Sequence, residues 1–229
     1  PDPLAITIGS VVSTTCQGVT TNLGMAIKDP SAFQQLLNGG TGPAPSTPYG
    51  DELTFIRQTM NATNEYLTVI QGADSNGNNL SPLYDTNPSR LAEQLKIVAR
   101  LISGGLQTKI YIVSMGGYDT HANQVDPTNT VMGTHADLLG ELSSAVEAFQ
   151  DDLQQLGISE RVLSMTFSEF GRRIKSNDSD GTDHGAAAPL MLIGDKVNPQ
   201  ILGANPTIPA VVDPKDSLPM LYDFRSVYG

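Results

Sequence analysis

Thr108-Lys-Ile-Tyr-Ile-Val-Ser-Met115 runs without a break into Gly116-Gly117-Tyr118-Asp119-Thr120-His121. The first eight residues read as a buried strand, and the polar residues that follow sit at its carboxyl end. On the N-terminal side, Leu91, Leu95, Val98 and Ile102 recur at helical spacing. Asn87 can cap that helix, Pro88 suits its first position, and Gly104-Gly105 ends it. On the C-terminal side, Leu138, Leu142, Val146, Phe149, Leu153 and Leu156 form the core-facing stripe of a helix over 134–156, closed by Gly157. Strands are expected at 161–167 and 189–194, and an Ile/Val-rich strand at 4–13. An earlier helix over 51–70 carries Leu53, Ile56, Met60, Leu67 and Ile70 on one face, with Gly72 as its stop. The order helix, strand, helix, strand, loop, strand describes an α/β protein with a largely parallel sheet, read as a single domain over 1–229 with loops at 36–50 and 72–88. Within the second loop, Ala73–Asn79 lacks the acidic spacing and terminal Glu of a calcium loop and reads as a turn.

The totals narrow the function. A formal charge of −11 disfavours nucleic acid and anionic membrane surfaces as partners and suits cations. Cys16 is the one cysteine, so there is no intramolecular disulfide and no Cys-based zinc site. No run reaches the roughly 18 apolar residues of a membrane span, and no basic-then-apolar signal segment opens the chain. The opening Pro-Asp-Pro-Leu-Ala-Ile-Thr-Ile-Gly reads as the middle of a longer protein, either a fragment or a processed product.

Two of the three histidines lie in Gly-Gly-Tyr-Asp-Thr-His (116–121) and Gly-Thr-Asp-His-Gly (181–185). Asp119 and His121, one residue apart, face the same side of an extended strand end. Asp183 and His184 are adjacent, and the flanking Gly181 and Gly185 allow the irregular backbone that would turn both inward. Glu169 follows an apolar strand and needs a partner: a cation, Arg172 or Arg173, or a helix N-terminus. Taken singly, each pair also fits a turn in which the Asp caps its own backbone and the His packs locally. Together, Asp119, His121, Glu169, Asp183 and His184 lie at three strand ends, the edge where α/β proteins bind ligands, and point to a divalent metal: zinc, manganese, calcium or magnesium. His135, beside Asp137 at a helix start, reads as exposed or as a local cap. Ser114, Thr166 and Ser168 are candidate nucleophiles, but no Ser-His-Asp arrangement, phosphate loop or dinucleotide fingerprint is legible.

Gly-Gly-Tyr-Asp-Thr-His-Ala-Asn-Gln (116–124), Phe-Ser-Glu-Phe-Gly-Arg-Arg (167–173), Gly-Thr-Asp-His-Gly-Ala-Ala-Ala-Pro (181–189) and Asp-Phe-Arg-Ser-Val-Tyr (223–228) resemble the signature blocks of the domain-of-unknown-function 1501 family. The resemblance implies membership of the alkaline phosphatase and sulfatase superfamily, and with it a three-layer α/β/α sandwich, incomplete at its N-terminus. It implies metals at the strand ends and action on phosphate or sulfate esters, so the expected partners are an anionic small-molecule or polymer ester and the missing N-terminal portion of the protein. Asp119, His121 and His184 resemble ligands, with Glu169 or Asp183 assisting, while Phe170 stands where a second ligand would be. Arg172 would steady the substrate's anionic oxygens by bidentate bonding. An extracytoplasmic location is implied as well. The alternative is a non-catalytic binding, surface or assembly protein that keeps the fold and a structural ion.

Overall fold

In the computed structural model the described residues are 2–16, 24–32 and 42–228. They form a mixed α/β structure in two compact units, Pro1–Met115 with Ala145–Leu156, and Gly116–Ser144 with Gly157–Gly229.

The first unit is built on a three-stranded parallel sheet. Strand β1 (Ala5–Ile8) lies between β2 (Gly24–Ile27) and β3 (Ile110–Ile112), with Ala5 opposite both Gly24 and Ile110. All four residues of β1 are buried, as expected of a central parallel strand covered on both faces. The return from β2 to β3 carries helices α1 (Pro48–Asn76), α2 (Leu83–Thr86) and α3 (Arg90–Ser103), since parallel strands cannot be joined by a tight turn. The expected apolar face of α3 is buried at Leu91, Leu95, Val98 and Ile102, and the helix packs on α1 and β1. Helix α4 (Thr134–Gln155) contributes Phe149 and Leu153 to the buried set of this unit.

Several boundaries differ from expectation. Ser89, rather than Asn87, caps α3, its hydroxyl accepting the Ala92 N–H at 3.1 Å; Asn87 instead closes α2. Thr47 caps α1, whose Pro48 takes the first position. Helix α1 passes through Gly72 to Asn76, because an interior glycine costs only about 1 kcal/mol and Leu67, Ile70 and Ala73 are buried around it. The expected loop at 72–88 therefore shrinks to the connections around α2, and Asp74 sits in α1, paired with Arg100 at 2.6 Å. The expected loop at 36–50 is seen as loop from residue 42 to Thr47; its earlier part lies outside the described residues.

Helix α1 stops where two backbones touch. A Cβ on Gly77 would lie 1.9 Å from the Arg100 carbonyl oxygen, and one on Gly104 would lie 1.8 Å from that of Ala73. Each of these carbonyls also accepts the N–H of its own helix's capping glycine, Ala73 from Gly77 and Arg100 from Gly104. The C-termini of α1 and α3 thus cross with no room for a side chain on either. Gly104→Ala is expected to lower unfolding free energy by about 3 kcal/mol, whereas Gly72→Ala, with open space around its Cβ, is expected to raise it by about 0.5–1 kcal/mol. Denaturant melts of the two variants check both signs.

One buried charge was not foreseen. Asp152, fully buried on α4, accepts from Asn79 Nδ2 (2.8 Å) and from the backbone N–H groups of Leu80 (2.5 Å) and Ser81 (3.1 Å). It holds the connection between α1 and α2. Tyr84 is 1% exposed, and burial first, then the Asp152 charge, pushes its phenol well above the ordinary range. Asp152→Ala, which strips three donors of their acceptor, is expected to cost about 3 kcal/mol, and Asp152→Asn less, because one oxygen acceptor remains. The same melts read the difference.

The second unit holds short ladders in place of long parallel strands. The expected strands at 161–167 and 189–194 contract to β4 (Ser164–Met165) and β7 (Leu192–Ile193), which pair antiparallel. Strands β5 (Gly171–Arg172) and β6 (His184–Gly185) pair antiparallel as well, with Arg172 opposite His184. A short helix, α5 (Phe224–Tyr228), follows. No helix among the described residues is long and apolar enough to cross a membrane.

Candidate metal centre

The second unit brings together the residues that the two motifs share. Segment 116–124 leaves β3 through Gly117, whose φ of +96° is open to glycine at little cost. It then runs beside residues 177–185, with Asn123 N–H donating to the Ser179 carbonyl and Gln124 N–H to that of Asp180, both at 2.9 Å. Gly181 permits the approach, since a Cβ there would lie 2.3 Å from the His121 backbone.

Three ligand atoms converge. His184 Nε2 lies 2.7 Å and His121 Nε2 3.1 Å from Asp119 Oδ1. One donor atom from each of Asp119, His121 and His184 falls within 4.8 Å of the others, and all three side chains are exposed. Asp183 stands behind them: its Oδ1 is 3.1 Å from His121 Nδ1 and also accepts from Asn177 Nδ2 at 3.3 Å. Asn177 Nδ2 donates to the His121 carbonyl as well, at 2.7 Å, and its Oδ1 accepts from Ser179 and Gly181 N–H. The ring of Phe170 stacks on that of His184, with centroids 3.9 Å apart and planes 9° apart.

Both carboxyls are held below the usual carboxylate range. For Asp119 the leading cause is the hydrogen bond from His184, helped by the charges of His121, His184 and Arg172; for Asp183 it is the hydrogen bond from His121, then that from Asn177. Both groups are therefore acceptors at neutral pH, and His121 faces one at each ring nitrogen, Asp183 at Nδ1 and Asp119 at Nε2, both at 3.1 Å. A neutral imidazole has only one N–H. Whichever nitrogen lacks it directs a lone pair towards an anionic oxygen 3.1 Å away. That contact is favourable only with a positive charge between or on the two groups, either a second ring proton or a metal ion.

Of the five residues expected to bind metal, the geometry gathers Asp119, His121 and His184, and sets Asp183 behind His121. A carboxylate on the far nitrogen of a ligand imidazole is the usual support for such a ligand. Glu169 lies outside the group: it is exposed, and among the described residues no ion pair holds it. The expected pairing with Arg172 or Arg173 does not form, because both guanidiniums turn to main-chain carbonyls. Arg172 Nη1 donates to Thr182 and Nη2 to Tyr118, while Arg173 Nε donates to His184 and its Nη1 to Pro214. His135 sits at the start of α4, its ring edge-on to that of Tyr118 at 6.1 Å and its backbone N–H donating to the Gln124 carbonyl.

The family described as Protein of unknown function (DUF1501) matches residues 61–218, more than half of the chain and the whole of the cluster. The chain belongs to this family. No curated protein and no solved structure matches it.

Gln124, Asn177 and Thr182 were missed as site residues. The polar run Ser-Asn-Asp-Ser-Asp-Gly at 176–181 carries a turn signal, but its partner across the seam has none. Because the depressed Asp119 value reflects contacts in the folded state, those contacts stabilise the fold above the ordinary carboxylate range and are lost as pH falls through the lowered value. A carboxyl titration followed by NMR is expected to place Asp119 below 3.8, the ordinary value, and to return it towards that value in His184→Ala.

Proposed function

We propose that Asp119, His121 and His184 bind one divalent cation and that this chain is a metal-dependent, hydrolase-like domain acting on phosphate or sulfate esters. The observation that carries the reading is His121, set between two carboxylates with a single N–H to offer. Only one carboxylate can take that N–H, so the other contact calls for a cation. Two imidazoles and one carboxylate suit zinc or manganese better than calcium or magnesium, which prefer oxygen alone. The three exposed side chains leave a face open, as a catalytic ion needs. A cation held there supplies Lewis acidity towards a phosphoryl or sulfuryl oxygen and an activated water. Asp119 contributes the one anionic ligand, Asp183 holds the His121 tautomer, and Phe170 fixes the plane of the His184 ring.

The finer parts of the reading rest on the family blocks. These are an alkaline phosphatase-like sandwich, of which the parallel β2-β1-β3 sheet and its helices would form part, and an extracytoplasmic setting. The second reading, a binding or assembly protein with a structural ion, is favoured by Phe170, whose ring covers one side of His184.

Calorimetric titration with zinc and manganese, alongside aryl phosphate and aryl sulfate hydrolysis, tests both readings. One equivalent is expected to bind, with affinity falling about 100-fold in His184→Ala and about tenfold in Asp183→Asn. Binding without turnover of either ester would favour the structural ion; no binding at all would leave the second proton on His121 as the explanation.

A further inference from the structure

The ligand atoms come from two stretches far apart in sequence, 119–121 and 182–184, so something must hold these stretches in register. Arg172 touches both. Its Nη2 donates to the Tyr118 carbonyl and lies 3.3 Å from Thr120 Oγ1, while Nη1 donates to the Thr182 carbonyl. These acceptors flank Asp119 on one stretch and precede Asp183 and His184 on the other. The side chain is 19% exposed and its guanidinium lies 5.0 Å from the centre of the Phe170 ring, the ring stacked on His184. A neutral link runs parallel to it: Gln124 Oε1 accepts from Thr120 Oγ1 (3.0 Å) and Thr182 Oγ1 (2.7 Å), and Thr182 N–H donates to the Thr120 carbonyl (3.3 Å).

With Nη2 committed to both the Tyr118 carbonyl and Thr120 Oγ1, and Nη1 to the Thr182 carbonyl, Arg172 has no paired N–H groups left for bidentate capture of a substrate anion. We infer that Arg172 is a positioning residue: it clamps the Asp119–His121 stretch to the Thr182–His184 stretch and so sets the geometry of the cation site. The inference rests on the metal reading and assigns the organisation of that same site.

The charge and the fork of Arg172 predict opposite outcomes. Its guanidinium lies 3.8 Å from Asp119 Oδ1, so charge alone opposes a second cation nearby, and removing it would tighten binding. The clamp, in contrast, holds the ligands where a cation needs them, and removing it loosens binding. Zinc titrations of wild type, Arg172→Ala and Arg172→Lys separate the two, with thermal melts of each as the control for folding. The clamp predicts a roughly 10–100-fold loss of zinc affinity in Arg172→Ala. It predicts little rescue by Lys, which keeps the charge but cannot span two carbonyls. Tighter zinc binding in Arg172→Ala, or full rescue by Lys, overturns it.

Imidazole nitrogen NMR spectra of the metal-free proteins supply a readout that does not depend on the ion. Under the clamp, Arg172→Ala alters the resonances of both His121 and His184, which sit on opposite sides of the seam. If both are unchanged, the clamp fails even if zinc binds. If both move while wild type binds no zinc, the clamp stands and the metal reading fails.

Discussion

Strand β1 sets the terms for the rest of the first unit. Its four residues are buried, so their main-chain groups must pair on both sides and their side chains must be covered on both faces. The ladders to β2 and β3 meet the first demand. Because both are parallel, the chain has to travel the length of the sheet before it can return, and α1 to α3 make that journey. They then have to fit against each other. The glycine-to-carbonyl contacts at Gly77 and Gly104 let their ends close to backbone distance, and the Asp152 carboxylate absorbs the donors of the turn that results. A buried carboxylate is expensive unless its oxygens are filled, and here three N–H groups fill them.

What could be read in advance followed the range of the interaction. Helix α3 was legible because its four apolar positions repeat at helical spacing and all four are buried. Its cap was misplaced by two residues because Asn87 and Ser89 are both good caps, and packing decides between them. Gly72 carried a stop signal that burial around it overrode, while the true end at Gly77 depends on Arg100, which no local pattern reveals. The strands show the same limit. An apolar run such as 161–167 announces extended chain but not its partner, and β4 pairs antiparallel with β7 outside the parallel sheet.

The site divides along the same line. Asp119 and His121 were legible as a pair because alternate residues of an extended segment face one way, and His184 because a second histidine stood in a similar setting. The division of labour between Asp183 and His184 was half legible: both were expected at the metal, with the family blocks making His184 the ligand and Asp183 an assistant, but only the structure sets Asp183 against Nδ1 of His121. Glu169 carried a sound local argument, a carboxylate after an apolar strand, yet it stays exposed outside the cluster, and the arginines expected to pair with it turn to carbonyl oxygens instead. Asp152 and Gln124 gave no advance signal, since their roles consist entirely of partners distant in sequence.

The cluster also has a polymer-physics side. Asp119 and His184 stand 65 positions apart in the chain and 2.7 Å apart in space. A group that bonds both ends of such a loop removes conformations from the unfolded chain much as a disulfide does, an effect of about 4 kcal/mol for a loop of this length. Cys16 is the chain's one cysteine, so a covalent cross-link of that kind is unavailable within it. An ion at Asp119, His121 and His184 would serve as a reversible one, and the second unit, with its short ladders, has the most to gain from it.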